Sequence, residues 1–250
     1  GKQKRPFIIF DIDPFNNNNK NVSARYGATA GFINFSSKSY FVLKQKKNGI
    51  LGFDLIELKK AIAEIKNNNQ SPIIFGFTYV LYDLIKNFND PNNLFKHLLK
   101  PTVIHIGGWK KLETLKISKN SFNNDLSKKL HVQINQIFDI YGFTEQMGIV
   151  YPSSGSEEKL TSILSDVLVR DPNTFEILPD GEEGLLQFIS PMPTSYPGLS
   201  ILTDDLGIIS GYKTIKNING FGKSFRITGR AKNAEIRGCG DIMSEIVTSE

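Results

Sequence analysis

Residues 136–145 read Gln136-Ile137-Phe138-Asp139-Ile140-Tyr141-Gly142-Phe143-Thr144-Glu145. Two isoleucines and a phenylalanine make Gln136 to Ile140 a strand, and the next five residues form the loop leaving it. An aromatic ring can stack on a nucleobase, and a Thr hydroxyl can donate to a phosphate oxygen. A carboxylate can hold Mg²⁺ against phosphates, because that ion takes oxygen ligands. All three groups in one loop, at a strand end where open α/β sheets bind ligands, point to a nucleotide site.

Upstream, strand-like and helix-like signals alternate. Pro6-Phe7-Ile8-Ile9-Phe10 is an apolar run ended by Asp11-Ile12-Asp13-Pro14, with Asp11 and Asp13 expected to shape that turn. Ser23 is placed to cap a helix through Gly31 or beyond. Leu55, Leu58, Ile62 and Ile65 fall at helical spacing. Ser71 to Gly76 reads as a buried strand, and Thr78 opens a helix carrying Val80, Leu81, Leu84, Ile85 and Phe88. Thr102 to Ile106 is a further strand, stopped by Gly107-Gly108, and a weaker helix covers Asp125 to Val132. Strand, helix, strand, helix with short connections predicts an α/β layer with a largely parallel sheet.

Downstream the pattern changes. Short strands are expected at Val167–Arg170, Phe175–Leu178, Gly184–Ile189, Leu199–Thr203, Gly207–Ile209 and Phe225–Thr228, separated by turn residues such as Asp171-Pro172-Asn173. This part reads as a mostly antiparallel β-subdomain. The expected organisation is an α/β subdomain over 1–160, a β-rich subdomain over 161–230 and a tail over 231–250.

The 250 residues, 40% of them hydrophobic, suffice for a substantial core. No apolar run approaches the roughly 20 residues that span a bilayer, and Gly1-Lys2-Gln3-Lys4-Arg5 opens no signal peptide. A single cysteine, Cys239, excludes an intrachain disulfide and fits a reducing, cytoplasmic setting. A net charge of +5 spread over scattered lysines favours anionic ligands weakly and calls for no nucleic-acid partner. His97, His105 and His131 have no metal-ligand spacing, and His105, at a strand end, reads as a pocket-wall or hydrogen-bonded core residue.

Three other loops carry chemistry. Gly107 and Gly108 let backbone approach a flat ligand, although a plain turn is the simpler reading. Leu202-Thr203-Asp204-Asp205-Leu206-Gly207 offers a carboxylate for a ribose diol, or two acids in an ordinary turn. Phe225-Arg226-Ile227-Thr228-Gly229-Arg230 ends on a fork of donors for phosphate or ribose oxygens. Tyr151-Pro152-Ser153-Ser154-Gly155-Ser156, with Lys159 nearby, reads as an exposed loop. Phe32, Phe35, Trp109 and Met147 read as core residues, with a place in a pocket lining as the alternative.

In this order the loops resemble the adenylate-forming acyl ligases. Tyr141-Gly142-Phe143-Thr144-Glu145 looks like that superfamily's aromatic-Gly-x-Thr-Glu motif. Gly181 to Leu186 is loosely similar to its Gly-Glu-Leu segment, Thr203-Asp204-Asp205 to its Thr-Gly-Asp, and Gly229-Arg230 to its Gly-Arg. Within it, His105 to Lys110, Tyr141 to Gly148 and Ala234-Glu235-Ile236-Arg237-Gly238-Cys239 resemble the LuxE-type acyl-protein synthetases. The resemblance implies the adenylate-forming N-domain fold and a fatty acid or other carboxylate substrate activated with ATP and Mg²⁺. Tyr141 would stack on adenine beside Gly142, Gly107 and Gly108 would wall the adenine pocket, and Thr144 would touch the α-phosphate. Glu145 would bind Mg²⁺, Asp205 the ribose, and Arg230 ribose or phosphate. Cys239 would accept the acyl group as a thioester and hand it to a fatty-acyl reductase. Read without the resemblance, Cys239 is either a thiol favoured by Arg237 or a small buried hydrophobe.

The superfamily's upstream phosphate loop and C-terminal lid find no counterpart, so the chain is expected to be N-terminally truncated. An acyl- or aryl-CoA ligase fragment and a non-catalytic subunit of a reductase complex are the alternative readings.

Overall fold

The structure, a computed structural model, describes residues 4–15, 24–45, 51–88, 93–107, 115, 117–215 and 220–231. The chain divides into two compact units, one reaching Phe138 and the other starting at Asp139. In chain order the first holds β1 (Arg5–Phe10), α1 (Ala24–Ile33), β2 (Ser36–Phe41), β3 (Leu43–Gln45), β4 (Leu51–Phe53), α2 (Leu55–Asn67), β5 (Ile73–Phe77), α3 (Thr78–Asn87), β6 (Thr102–Ile106) and α4 (Lys119–Leu130). Strand β7 (Ile137–Tyr141) carries the chain into the second unit, which holds β8 (Tyr151–Ser154), β9 (Lys159–Leu160), β10 (Asp166–Arg170), β11 (Glu183–Ile189), β12 (Ser200–Ile215) and β13 (Gly220–Arg230).

In the first unit β2-β1-β5-β6 pair in parallel in that order. The unbroken apolar run of β1 follows from burial on both faces, because successive side chains point to opposite sides. Ile8 and Phe10 join a large core with Ile74, Val103, Leu58 and Leu81. Phe7 and Ile9 join Phe75 in a second, smaller one, against which Phe32 packs. Helix α2 buries Leu58, Ile62 and Ile65 at helical spacing, while Leu55 stays partly exposed. Its N-cap Asp54 accepts the Glu57 amide at 3.1 Å.

The second unit is a five-stranded antiparallel sheet, β10-β11-β12-β13-β9. Val167, Val169, Leu186, Phe188, Ile209 and Phe225 form its core with Ile149 and Tyr151. Two-residue spacing within β10 and β11 puts these side chains on one face. Leu202 and Tyr212 stay exposed.

Several expectations need correction. Helix α4 begins at Lys119 rather than Asp125, because Ser118 caps it by accepting the Ser121 amide at 3.1 Å. Its Asn- and Ser-rich start has weak helix propensity, which hid it. Phe175 to Leu178 is not a strand: one isolated bridge joins Ile177 to Arg170, and the Asp171 carboxylate holds the preceding turn through the Asn173 and Thr174 amides. Leu199–Thr203 and Gly207–Ile209 fuse into the single long β12, whose register shifts let it continue past Asp204 and Asp205. Phe35 and Met147 are 69% and 63% exposed, so neither is a core residue. Asp11 is buried rather than a turn former: its carboxylate takes the Arg25 guanidinium and the Thr29 hydroxyl, while Asp13 accepts the Phe15 amide at 2.9 Å. Ser23 and Trp109 lie outside the described residues. No helix among the described residues is long and apolar enough to cross a membrane.

The Glu57 amide holds the Asp54 carboxyl below the usual carboxylate range. A lowered folded-state pKa contributes stability above that range and loses it as pH falls through the lowered value. Asp54→Ala is expected to cost about 1 kcal/mol at neutral pH. Asp54→Asn keeps the cap and removes this acid-side loss. Urea unfolding of the three proteins between neutral and acid pH checks both.

Candidate active site

Strand β7 delivers Tyr141 to its end, and the loop after it tightens into one turn of 3₁₀ helix over Thr144–Gln146. The Tyr141 ring lies against Phe143, Tyr151, Phe188 and Phe225, with centroids 5.7, 6.2, 5.6 and 6.4 Å away. Its hydroxyl donates to Asp205 Oδ2 at 2.6 Å. Burial first, and the Asp205 charge second, push the phenol well above its ordinary pKa, so it stays protonated and acts as donor.

Asp205 on β12 stands directly across from Arg230 on β13. Arg230 Nε lies 3.1 Å from Asp205 Oδ1, and its other arm reaches toward Asp204 Oδ2 at 3.6 Å. The two acids thus face an arginine across a ladder rather than closing a turn. The Thr203 hydroxyl accepts the Asp205 amide at 3.3 Å and donates to Leu186 O at 2.9 Å. Three residues distant in sequence, Tyr141, Asp205 and Arg230, are therefore joined by one hydrogen bond and one ion pair inside the second unit.

Thr144 and Glu145 are exposed on the turn, with the Thr144 hydroxyl donating to Glu145 Oε2 at 3.3 Å. Glu145 presents an oxygen donor of the kind Mg²⁺ takes, and that ion is held by one or two carboxylates plus substrate phosphates. No group of three or more His, Cys, Asp or Glu able to hold a metal occurs among the described residues, so any metal here depends on ligand oxygens as well.

Gly142 follows Tyr141 directly, and a Cβ there would meet Val150 at 3.5 Å. Gly107 ends β6 in the first unit with φ +62°, a conformation that favours glycine. His105, in the same strand, is buried with Nδ1 2.9 Å from the Thr78 hydroxyl, a hydrogen-bonded core histidine. Gly108 and Cys239 lie outside the described residues.

The family model described as acyl-protein synthetase, LuxE, matches residues 1–248. The chain belongs to the LuxE acyl-protein synthetase family. This LuxE-family chain is 27% identical over 199 residues to a long-chain-fatty-acid–luciferin-component ligase of Aliivibrio fischeri, covering 78% of the chain and 51% of that protein. It is 25% identical over 203 residues to the enzyme of the same name from Vibrio harveyi, covering 79% and 52%. It therefore spans about half the length of the curated relatives it matches. Among solved structures, a 2-hydroxyisobutyryl-CoA ligase in complex with 2-HIB-AMP and CoA aligns with a TM-score of 0.61 at 13% identity, over 92% of this chain and 45% of that one. That likeness places the fold among the adenylate-forming ligases.

Sequence reading missed the residues that hold the LuxE-family loop in place. Gln146 is 1% exposed. Its Nε2 donates to Gly198 O at 3.1 Å and Phe188 O at 3.4 Å, and its Oε1 accepts the Tyr151 hydroxyl at 2.8 Å. The Met147 amide donates to the Tyr196 hydroxyl at 2.5 Å. The expected exposed loop over 151–156 is also corrected. Tyr151 and Ser153 are buried on β8, and the turn from Gly155 is exposed. Lys159, 3% exposed, donates to the Asp139 carboxylate at 2.6 Å, the Asp139 carbonyl at 2.9 Å and Ser153 Oγ at 3.2 Å, tying β7, β8 and β9 together. A buried lysine with three acceptors leaves no local signal beside Pro, Ser and Gly.

Gln146→Leu removes these amide bonds and strands the Tyr151 hydroxyl. The expected cost is about 1–3 kcal/mol, with faster amide exchange over residues 143–148 than elsewhere in the second unit. Hydrogen exchange followed by mass spectrometry reads both.

Proposed function

We propose that this chain carries the adenosine-side part of a site that activates a fatty acid, or another carboxylic acid, with ATP. The observation that carries the reading is the set Tyr141–Asp205–Arg230, with Thr144 and Glu145 on the turn directly after Tyr141. Family membership supports it, as do the fatty-acid ligase names of the curated relatives and the adenylate named in the complex of the structural neighbour.

In this reading the Tyr141 ring stacks on adenine with Gly142 alongside. Asp205 accepts the ribose hydroxyls, and Arg230 donates to ribose or phosphate. Thr144 donates to the α-phosphate. A substrate carboxylate oxygen bonds to the α-phosphorus as the bond to pyrophosphate breaks, giving acyl-AMP and pyrophosphate. Glu145 would hold a Mg²⁺, which supplies charge neutralisation on the phosphates when bound. The Cys239 thiolate then attacks the acyl carbonyl carbon, AMP leaves, and the resulting thioester is passed to a fatty-acyl reductase.

Two measurements on the full natural chain test this. Carboxylate-dependent exchange of labelled pyrophosphate into ATP is expected, falling at least about 100-fold in Glu145→Gln or Asp205→Ala, the scale of losing a charge-stabilising group. No exchange by the wild type would leave the non-catalytic reading standing. Labelled fatty acid with ATP is expected to mark the protein with a hydroxylamine-sensitive label that Cys239→Ser loses. A free acyl-CoA product on adding CoA, with no protein label, would favour the CoA ligase reading instead.

A further inference from the structure

The proposed ribose acceptor is itself held by one hydrogen bond and one ion pair, and their arrangement makes Tyr141 more than a stacking surface. An aspartate carboxylate offers two oxygens and about four lone-pair sites. Tyr141 Oη fills one site on Oδ2 at 2.6 Å, a length typical of a hydroxyl donating to a charged oxygen. Arg230 Nε lies 3.1 Å from Oδ1 as an ion pair, without the alignment of a hydrogen bond. At least one acceptor site on each oxygen remains open, and the Asp205 side chain keeps 21% of its surface exposed. Two acceptor sites, one on each oxygen of a rigidly held carboxylate, match a vicinal diol.

The rigidity has a traceable cause. Four aromatic rings hold the Tyr141 ring, so its hydroxyl has little freedom to leave Asp205. Cross-strand pairing of Asp205 with Arg230 holds the other oxygen. Loss of either contact frees the carboxylate to rotate about its side-chain torsions, and a free carboxylate must lose that freedom again when it binds a diol.

We propose that the Tyr141 hydroxyl is a positioning group that orients Asp205 to read both ribose hydroxyls, making the Tyr141–Asp205–Arg230 set the determinant of ribonucleotide over deoxyribonucleotide selection. This rests on the reading of Asp205 given above. The ring and the hydroxyl of Tyr141 thus have separate tasks, one toward the base and one toward the sugar.

The test is pyrophosphate exchange by the full natural chain with ATP and with 2′-deoxy-ATP as the varied nucleotide. The wild type is expected to prefer ATP in kcat/KM. Tyr141→Phe keeps the ring in its aromatic cluster and removes only the hydroxyl. Its preference is expected to shrink about three- to tenfold, the scale of one hydrogen bond, through a raised KM for ATP with kcat little changed. Arg230→Lys keeps the charge, loses the planar fork, and is expected to shrink the preference likewise. A merely structural role for the hydroxyl would slow both nucleotides equally. If Tyr141→Phe and Arg230→Lys keep the wild-type preference while Asp205→Ala abolishes it, the positioning role is overturned and the ribose assignment stands. If the wild type itself shows no preference, the ribose assignment of Asp205 falls, and the positioning role falls with it.

Discussion

Tyr141 has to satisfy two demands at one place. Its ring belongs to the aromatic cluster on the core face of the second unit, and its hydroxyl, carried into that apolar setting, must find a partner. Asp205 is that partner, and the charge it brings is balanced by Arg230 across the β12–β13 ladder. Much else in the unit follows. Strand β12 runs on through Asp204 and Asp205 instead of turning there, and its register shifts absorb the irregularity. Phe188 and Phe225 are buried as neighbours of the same ring. The groups with the clearest chemical promise are thus anchored by the packing that stabilises the sheet.

Around this centre, buried polar side chains act as ties. Gln146 links the turn after β7 to the carbonyls of Phe188 and Gly198 and to the Tyr151 hydroxyl. Lys159 spends its three donors on Asp139 and Ser153. Such groups are expensive to bury unless every bond is made, so each one disfavours alternative packings of the loop it holds. The exposed Thr144 and Glu145 sit between these anchors, fixed at the backbone and open at the side chain. In the reading proposed above, this leaves Thr144 open to a phosphate and Glu145 to a Mg²⁺.

The first unit shows the same principle at a different place. Asp11 follows the carboxyl end of β1 and is fully buried with Arg25 and Thr29. Burial raises its carboxyl pKa more than the neighbouring guanidinium and hydrogen bonds lower it. Taking both charges out of water offsets much of their mutual attraction, so the pair acts as a constraint on how α1 docks on β1.

The parallel sheet was legible in the sequence because burial on both faces demands unbroken apolar runs, as in Phe7 to Phe10 and Ile73 to Phe75, and helices α2 and α3 were legible because their apolar stripes follow the helical period. The loop from Tyr141 to Glu145 stood out because three ligand-type side chains cluster within it, and the family is written in that loop together with the segments around Asp205 and Arg230. Local patterns of this kind survive in a linear reading because their cause is local. The length of β12, the burial of Asp11, the strand at Tyr151 to Ser154 and the bonding of Tyr141 to Asp205 were decided only by tertiary structure. Each depends on a partner outside its own segment, 64 residues away in the last case. A polar side chain is indistinguishable from a surface one until the fold supplies the group that pays for its desolvation.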